Sequence, residues 1–172
     1  MKTIIIGMGN LLLTDDGVGI KVVRNLRDRL KRNLNVDVIE LYTGGLELME
    51  AMIGYEKAII VDALISGINK PGTISSFFFD EEETECYAVS HSQYVYSTHN
   101  TNLSAALKVG KLLHFPLPSE VRIWAVEAND VETFSEELTE PVARAHTRVI
   151  DEILCYLEKQ PGEAYENRSL FL

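Results

Sequence analysis

The feature that most constrains this fold is a short apolar run that leads into a glycine-rich turn and then a helical pattern. Residues 4–6 are three consecutive isoleucines, which is typical of a buried strand. The turn spans residues 7–17, and apolar side chains then recur at helical spacing over residues 18–34. A strand, turn and helix in this order predict the first unit of an open α/β sheet, where ligands bind beside the end of the strand.

Strand-like and helical patterns alternate along the rest of the chain. Apolar, β-branched segments predict five strands, at residues 2–7, 36–41, 58–63, 73–79 and 121–126. Amphipathic patterns predict helices at residues 18–34, 46–53, 102–113 and 138–157. This alternation indicates one α/β domain with helices on both faces of a mainly parallel five-stranded sheet. We place that domain at residues 1–160, followed by a tail at residues 161–172.

Composition excludes several classes of partner. The net charge is −10 and no basic stripe is present, which argues against a nucleic-acid partner. No run approaches 18 apolar residues, so we expect no membrane-spanning segment. The two cysteines, Cys86 and Cys155, are far apart and form no CxxC pair. They fit a reducing cytosol and supply no cysteine metal site.

Two adjacent carboxylates, Asp15 and Asp16, lie at the predicted start of the first helix. A helix N-terminus normally attracts anions, but two acids there would repel a phosphate and offer oxygen ligands to a cation. The spacing also departs from the dinucleotide fingerprint, because Leu12 stands where the third glycine would be. The alternative interpretation is structural: Asp15 caps the helix and Asp16 complements its dipole.

A third carboxylate, Asp62, closes the apolar run of the third predicted strand. A charge at that position is costly to bury unless it is paired, so Asp62 is either a ligand or catalytic group, or a cap on the amides of a neighbouring loop. Since parallel strands end at one edge, we expect Asp62 to lie at the same edge as Asp16.

Among the histidines, His99 is the best candidate for a ligand. It is the last residue of a long predicted surface loop, residues 86–99, shortly before a predicted helix. His91 in the same loop is the rival, whereas His114 and His146 fall at the end of a helix and within one. Two carboxylates and one imidazole suit a divalent transition metal with open coordination positions. Standard protease motifs such as His-Glu-x-x-His and Gly-x-Ser-x-Gly are absent from the sequence.

Three motifs carry a resemblance to a known family. They are Gly7-Met8-Gly9-Asn10 with Thr14-Asp15-Asp16-Gly17-Val18-Gly19, then Ile60-Val61-Asp62-Ala63, then Thr98-His99-Asn100. In this order and spacing they resemble the [NiFe]-hydrogenase maturation endopeptidases, over residues 1–157. The chain departs from that family at Tyr42-Thr43, where relatives often carry an acid before the glycine pair.

The resemblance implies a hydrolase that removes the C-terminal extension of the hydrogenase large-subunit precursor after nickel insertion. It places the family's metal-binding and catalytic residues on Asp16, Asp62 and His99. It implies nickel carried by the substrate, with a free site that is empty or holds another divalent cation. It further implies a flavodoxin-like, phosphorylase/hydrolase-like three-layer αβα sandwich, and a cytoplasmic monomer.

Two alternatives remain open at this point. One is a different hydrolase on the same scaffold, which would not depend on nickel in its substrate. The other is a non-catalytic nickel-binding chaperone that uses the same three ligands. Cleavage of a nickel-loaded precursor separates an endopeptidase from a chaperone.

Overall fold

The computed structural model describes residues 2–79 and 103–159. The strands are β1 (Thr3–Met8), β2 (Val36–Leu41), β3 (Lys57–Leu64), β4 (Ile74–Phe78) and β5 (Glu120–Glu127). The helices are α1 (Val18–Leu30), α2 (Leu46–Ala51), α3 (Leu103–Leu112) and α4 (Glu140–Glu158). A 3₁₀ turn, Thr14–Gly17, directly precedes α1. Every predicted strand and helix is present, with boundaries shifted by a few residues.

The first helix is shorter than its apolar pattern predicts. It ends at Leu30, whose carbonyl oxygen accepts a hydrogen bond from Asn33 N–H at 2.8 Å. The side chain of Asn33 in turn accepts a hydrogen bond from Asn35 N–H at 3.1 Å. These bonds form a turn that leaves Leu34 93% exposed, so the apolar pattern continues beyond the helix itself.

The five strands form one sheet in the order β2-β1-β3-β5-β4. The pairs β1–β2, β1–β3 and β3–β5 are parallel, whereas β4 is antiparallel to β5. A mainly parallel sheet is therefore confirmed. The direction of β4 follows from the connection to it, residues 65–73, which is too short for the crossover that a parallel strand needs.

The strand order creates a switch point between β1 and β3. From β1 the chain moves to β2 on one side, and it then returns to add β3 on the other side. The connections that follow β1 and β3 leave in opposite directions from this point, which opens a crevice at the carboxyl ends of these strands. The flavodoxin-like 2-1-3-4-5 order has its switch point at the same pair of strands.

Helices cover both faces of the sheet. On one face α1 and α4 pack over a core that includes Ile5, Val22 and Val149. On the other face α2 and α3 pack over Ile6, Leu48 and Leu107. The three-layer αβα sandwich is thus confirmed. Across the described ranges 2–79 and 103–159, the chain forms no helix with the length and apolar character needed to cross a membrane.

Some predictions fall on parts of the chain outside the described residues. They concern the acidic loop at residues 80–85, the long loop at residues 86–99 and the C-terminal tail at residues 161–172. They stay predictions.

Candidate functional site at the switch point

Two glycines bring the turn after β1 into contact with the sheet. Gly9 has φ +134°, and a Cβ atom there would lie 1.8 Å from the carbonyl oxygen of Asp16. At Gly19 a Cβ atom would lie 2.3 Å from the carbonyl oxygens of both Met8 and Val61. Any side chain at either position would push the turn away from the strands. The glycine spacing therefore holds the segment that carries Asp16 against β1 and β3.

Asp16 lies in the 3₁₀ turn and is only 2% exposed. Its Oδ2 atom accepts a hydrogen bond from Asn10 N–H at 2.8 Å. The Asn10 side chain in turn accepts a hydrogen bond from Leu12 N–H at 3.0 Å, which folds the loop around the carboxylate. The carboxylate is buried because the turn packs onto the sheet.

Asp62 lies in β3, two residues before the strand ends, and is 1% exposed. Its Oδ1 atom accepts a hydrogen bond from Ala63 N–H at 2.9 Å. The 3₁₀ turn that carries Asp16 contacts β3. Both carboxylates are therefore buried at the switch-point crevice, one after β1 and one near the end of β3.

Buried carboxylates are costly to desolvate, and a bound cation offsets that cost. Oxygen donors accept many divalent cations, and an added imidazole shifts the preference toward transition metals such as nickel. His99 and its rival His91 lie outside the described residues. Within ranges 2–79 and 103–159, no group of three His, Cys, Asp or Glu side chains is placed to hold a metal ion. The ligand role of His99 stays a prediction.

Asp15 has a different role from its neighbour. Its carboxylate accepts four hydrogen bonds at 2.7–3.1 Å, from Asn129 N–H, Asp130 N–H, and both the N–H and the hydroxyl of Thr139. Thr139 is the N-cap residue of α4, and the N-cap of α1 is Gly17, which has no side-chain cap. Asp15 therefore secures a distant loop and helix instead of capping α1. With these contacts its oxygens are committed to structure and are poorly placed to bind a cation.

Glu127 is a buried carboxylate at this edge that the sequence analysis missed. It is 3% exposed and accepts hydrogen bonds from Ser66 N–H and Ser66 Oγ at 2.8 Å and from Gly67 N–H at 3.2 Å. These bonds fix the loop that follows β3. Glu127 closes the apolar run of β5 as Asp62 closes that of β3, so the same sequence pattern could have identified it.

The two discounted histidines lie away from the crevice. His114 follows α3 with φ 58°. His146 lies in α4, where its Nε2 is 3.4 Å from the side-chain amide of Asn25 on α1. Burial lowers the pKa of His146 below its ordinary value. Neither histidine adjoins Asp16 or Asp62 in sequence or on the same element.

Known proteins of one family are similar to this chain. A family model described as hydrogenase maturation protease matches residues 20–155. The hydrogenase 2 maturation protease of Escherichia coli is 36% identical over 74 residues, which cover 43% of this chain and 45% of that protein. For three of the curated relatives that it matches, the chain spans 45% to 66% of their length.

Solved structures show the same fold. The hydrogenase maturating endopeptidase HybD from E. coli superposes with a TM-score of 0.72 at 24% identity, covering 91% of this chain and 92% of that one. The [NiFe] hydrogenase maturation protease HybD from Thermococcus kodakarensis gives 0.68 at 26% identity, covering 92% and 100%. This chain belongs to the hydrogenase maturation protease family.

Proposed function

We propose that this protein is an endopeptidase that removes the C-terminal extension of a [NiFe]-hydrogenase large-subunit precursor once nickel has been inserted. The observation that carries the proposal is the burial of Asp16 and Asp62 at the switch-point crevice, at 2% and 1% exposure, in a chain of this family. A crevice at this place in a parallel sheet is where such folds bind their ligands.

In this proposal the substrate brings the nickel, and Asp16, Asp62 and His99 contact it. The two carboxylates lie on neighbouring elements and offer oxygen ligands, so a precursor that arrives with its metal gains contacts that a precursor without metal lacks. Precursor without nickel brings the same peptide but no cation, and docks weakly. A divalent metal beside a peptide bond can polarise its carbonyl group or lower the pKa of a bound water.

The free protein needs no resident metal under this proposal. Its site is empty or holds another divalent cation until the precursor docks. We further propose that the protein acts as a cytoplasmic monomer, which sedimentation of the purified chain and fractionation of cells would test. The two distant cysteines, with Cys155 exposed and free, suit a reducing compartment.

The test is incubation of the purified protein with nickel-loaded and nickel-free precursor, followed by intact-mass spectrometry of the precursor. We expect a C-terminal mass loss from the loaded precursor only. Precursor that stays full length in both samples would support a nickel chaperone instead. Equal cleavage of both samples would support a hydrolase whose activity does not depend on nickel in its substrate.

A further inference from the structure

Two large apolar side chains are exposed on adjoining loops that follow β1 and β5, at the switch-point edge of the sheet. Leu12 is 53% exposed and Phe134 is 83% exposed. They precede Leu13 and Ser135, which form an isolated parallel β-bridge. Ser135 N–H donates to the carbonyl oxygen of Leu12 at 3.1 Å, and Thr14 N–H donates to that of Ser135 at 2.8 Å. The loops after β1 and β5 are thus hydrogen-bonded to each other, and Leu12 and Phe134 directly precede the bridged residues.

The loop that carries Phe134 is firmly held. Thr14 Oγ1 donates a hydrogen bond to the carbonyl oxygen of Thr133 at 2.6 Å. Asp130 Oδ1 accepts hydrogen bonds from the N–H groups of Glu132 and Thr133, both at 3.0 Å. A side chain on a fixed loop loses little conformational entropy when a partner covers it. An exposed phenylalanine on such a loop has the character of an interface anchor.

A short chain of hydrogen bonds connects this pair to the candidate site. Asp16 accepts from Asn10 N–H, Asn10 accepts from Leu12 N–H, and Leu12 accepts from Ser135 N–H, the residue after Phe134. The pair and the metal-facing carboxylate therefore belong to one hydrogen-bonded unit. A protein that reaches into the crevice would also meet Leu12 and Phe134.

The charges around Phe134 indicate the chemistry of the partner. Glu132, Glu136 and Glu137 flank it in sequence and are all exposed. Apolar side chains surrounded by carboxylates favour a partner segment in which an apolar residue is flanked by lysine or arginine.

We propose that Leu12 and Phe134 form the docking surface for the hydrogenase large-subunit precursor, and that they bind an apolar side chain flanked by basic residues on that precursor. This inference rests on the proposed function, because that function supplies the partner. It adds a contact outside the metal-facing residues that selects the precursor by its protein surface.

The test measures steady-state cleavage of nickel-loaded precursor by the full chain and by Phe134→Ser and Leu12→Ser. The matched control is Leu34→Ser, which removes an even more exposed leucine (93%) from the loop before β2, at the opposite edge of the sheet. We expect KM to rise by about 10-fold or more in each docking variant, with kcat within about twofold. The control should keep both constants, and thermal melting should show all three variants folded.

A direct binding measurement separates this inference from the proposed function. Isothermal titration calorimetry of the same precursor needs no cleavage, and we expect Phe134→Ser to weaken binding by the same factor. If the wild-type protein cleaves the precursor and both docking variants keep its KM and affinity, the docking surface is overturned and the proposed function stands. If the wild-type protein binds the precursor through Phe134 but does not cleave it, the proposed endopeptidase function is overturned and the docking surface is supported.

Salt and self-association complete the test. Binding of the precursor should weaken as salt rises, and the triple variant Glu132→Gln, Glu136→Gln, Glu137→Gln should lose most of that dependence. Equal salt dependence in the triple variant and the wild type would overturn the basic character of the partner segment. A wild-type dimer in sedimentation that Phe134→Ser dissociates would assign this face to a second copy of the chain and overturn the proposal.

Discussion

The carboxylates of Asp15 and Asp16 are adjacent in sequence but serve different parts of the molecule. Asp15 accepts hydrogen bonds from Thr139, 124 residues away, and Asp16 accepts one from Asn10, six residues away. The first ties the loop after β5 and the start of α4 to the turn after β1. The second keeps a carboxylate in the crevice beside β3. One motif thus supplies a structural residue and a candidate ligand in consecutive positions.

Asp15→Asn should destabilise the fold. An amide can replace one carboxylate oxygen but not both, so part-buried donors among Asn129, Asp130 and Thr139 lose their acceptor. We expect the free energy of unfolding to fall by about 2–3 kcal/mol, measured by urea denaturation. Asp28→Asn, at an exposed ion pair with Lys31, is the control and should change it by less than about 0.5 kcal/mol. Equal effects would contradict the structural role of Asp15.

Asp16→Asn and Asp62→Asn should abolish processing while the protein stays folded. An asparagine side chain retains an oxygen that can accept from Asn10 or from Ala63, but it loses the negative charge that attracts a cation. We expect cleavage of nickel-loaded precursor to fall by about 100-fold or more, since even groups that support metal ligands contribute about 10–100-fold. Circular dichroism should be unchanged. A variant that unfolds would show that the carboxylate has a structural role instead.

Gly19→Ala should destabilise the protein, although alanine is the better helix former. At an exposed helical position the change would add about 1 kcal/mol of stability. Here the new methyl group would lie 2.3 Å from two carbonyl oxygens, so α1 must move away from β1 and β3. We expect a loss of about 3 kcal/mol, together with loss of processing because the turn that carries Asp16 moves as well. A rise in melting temperature would contradict the close packing.

His146 should make the protein less stable in mild acid. Burial lowers its pKa in the folded protein below 6.5, and the positive charge of Lys21 acts in the same direction. The unfolded chain therefore binds a proton more readily, so stability is lost as the pH falls below about 6.5. His146→Gln should flatten this part of the curve of unfolding free energy against pH, measured between about pH 7.5 and 5. Parallel curves for the two proteins would exclude His146 as a contributor.

Most of the fold could be predicted because its signals are local. The apolar run in β3 and the periodic pattern of α4 follow from neighbouring residues alone. The direction of β4 was not predicted, because it depends on the short connection before it and on pairing with β5. The end of α1 at Leu30 was missed because Asn33 forms a turn within a continuing apolar pattern.

The site was predicted only in part, for a related reason. Asp16 and Asp62 could be placed at one edge, since parallel strands end together. The different roles of Asp15 and Asp16 could not be predicted, because Thr139, which donates hydrogen bonds to Asp15, lies far away in sequence. The exposure of Phe134 also depends on a bridge between two distant loops, so no local pattern indicated it.

The most direct test of nickel recognition through Asp16 compares four cleavage reactions by intact-mass spectrometry. Wild-type protein and Asp16→Asn are each incubated with nickel-loaded and with nickel-free precursor. We predict that only the wild-type reaction with loaded precursor yields a C-terminally shortened large subunit. Full cleavage of nickel-free precursor, or undiminished cleavage by Asp16→Asn, would contradict the assignment of the switch-point carboxylates to nickel recognition.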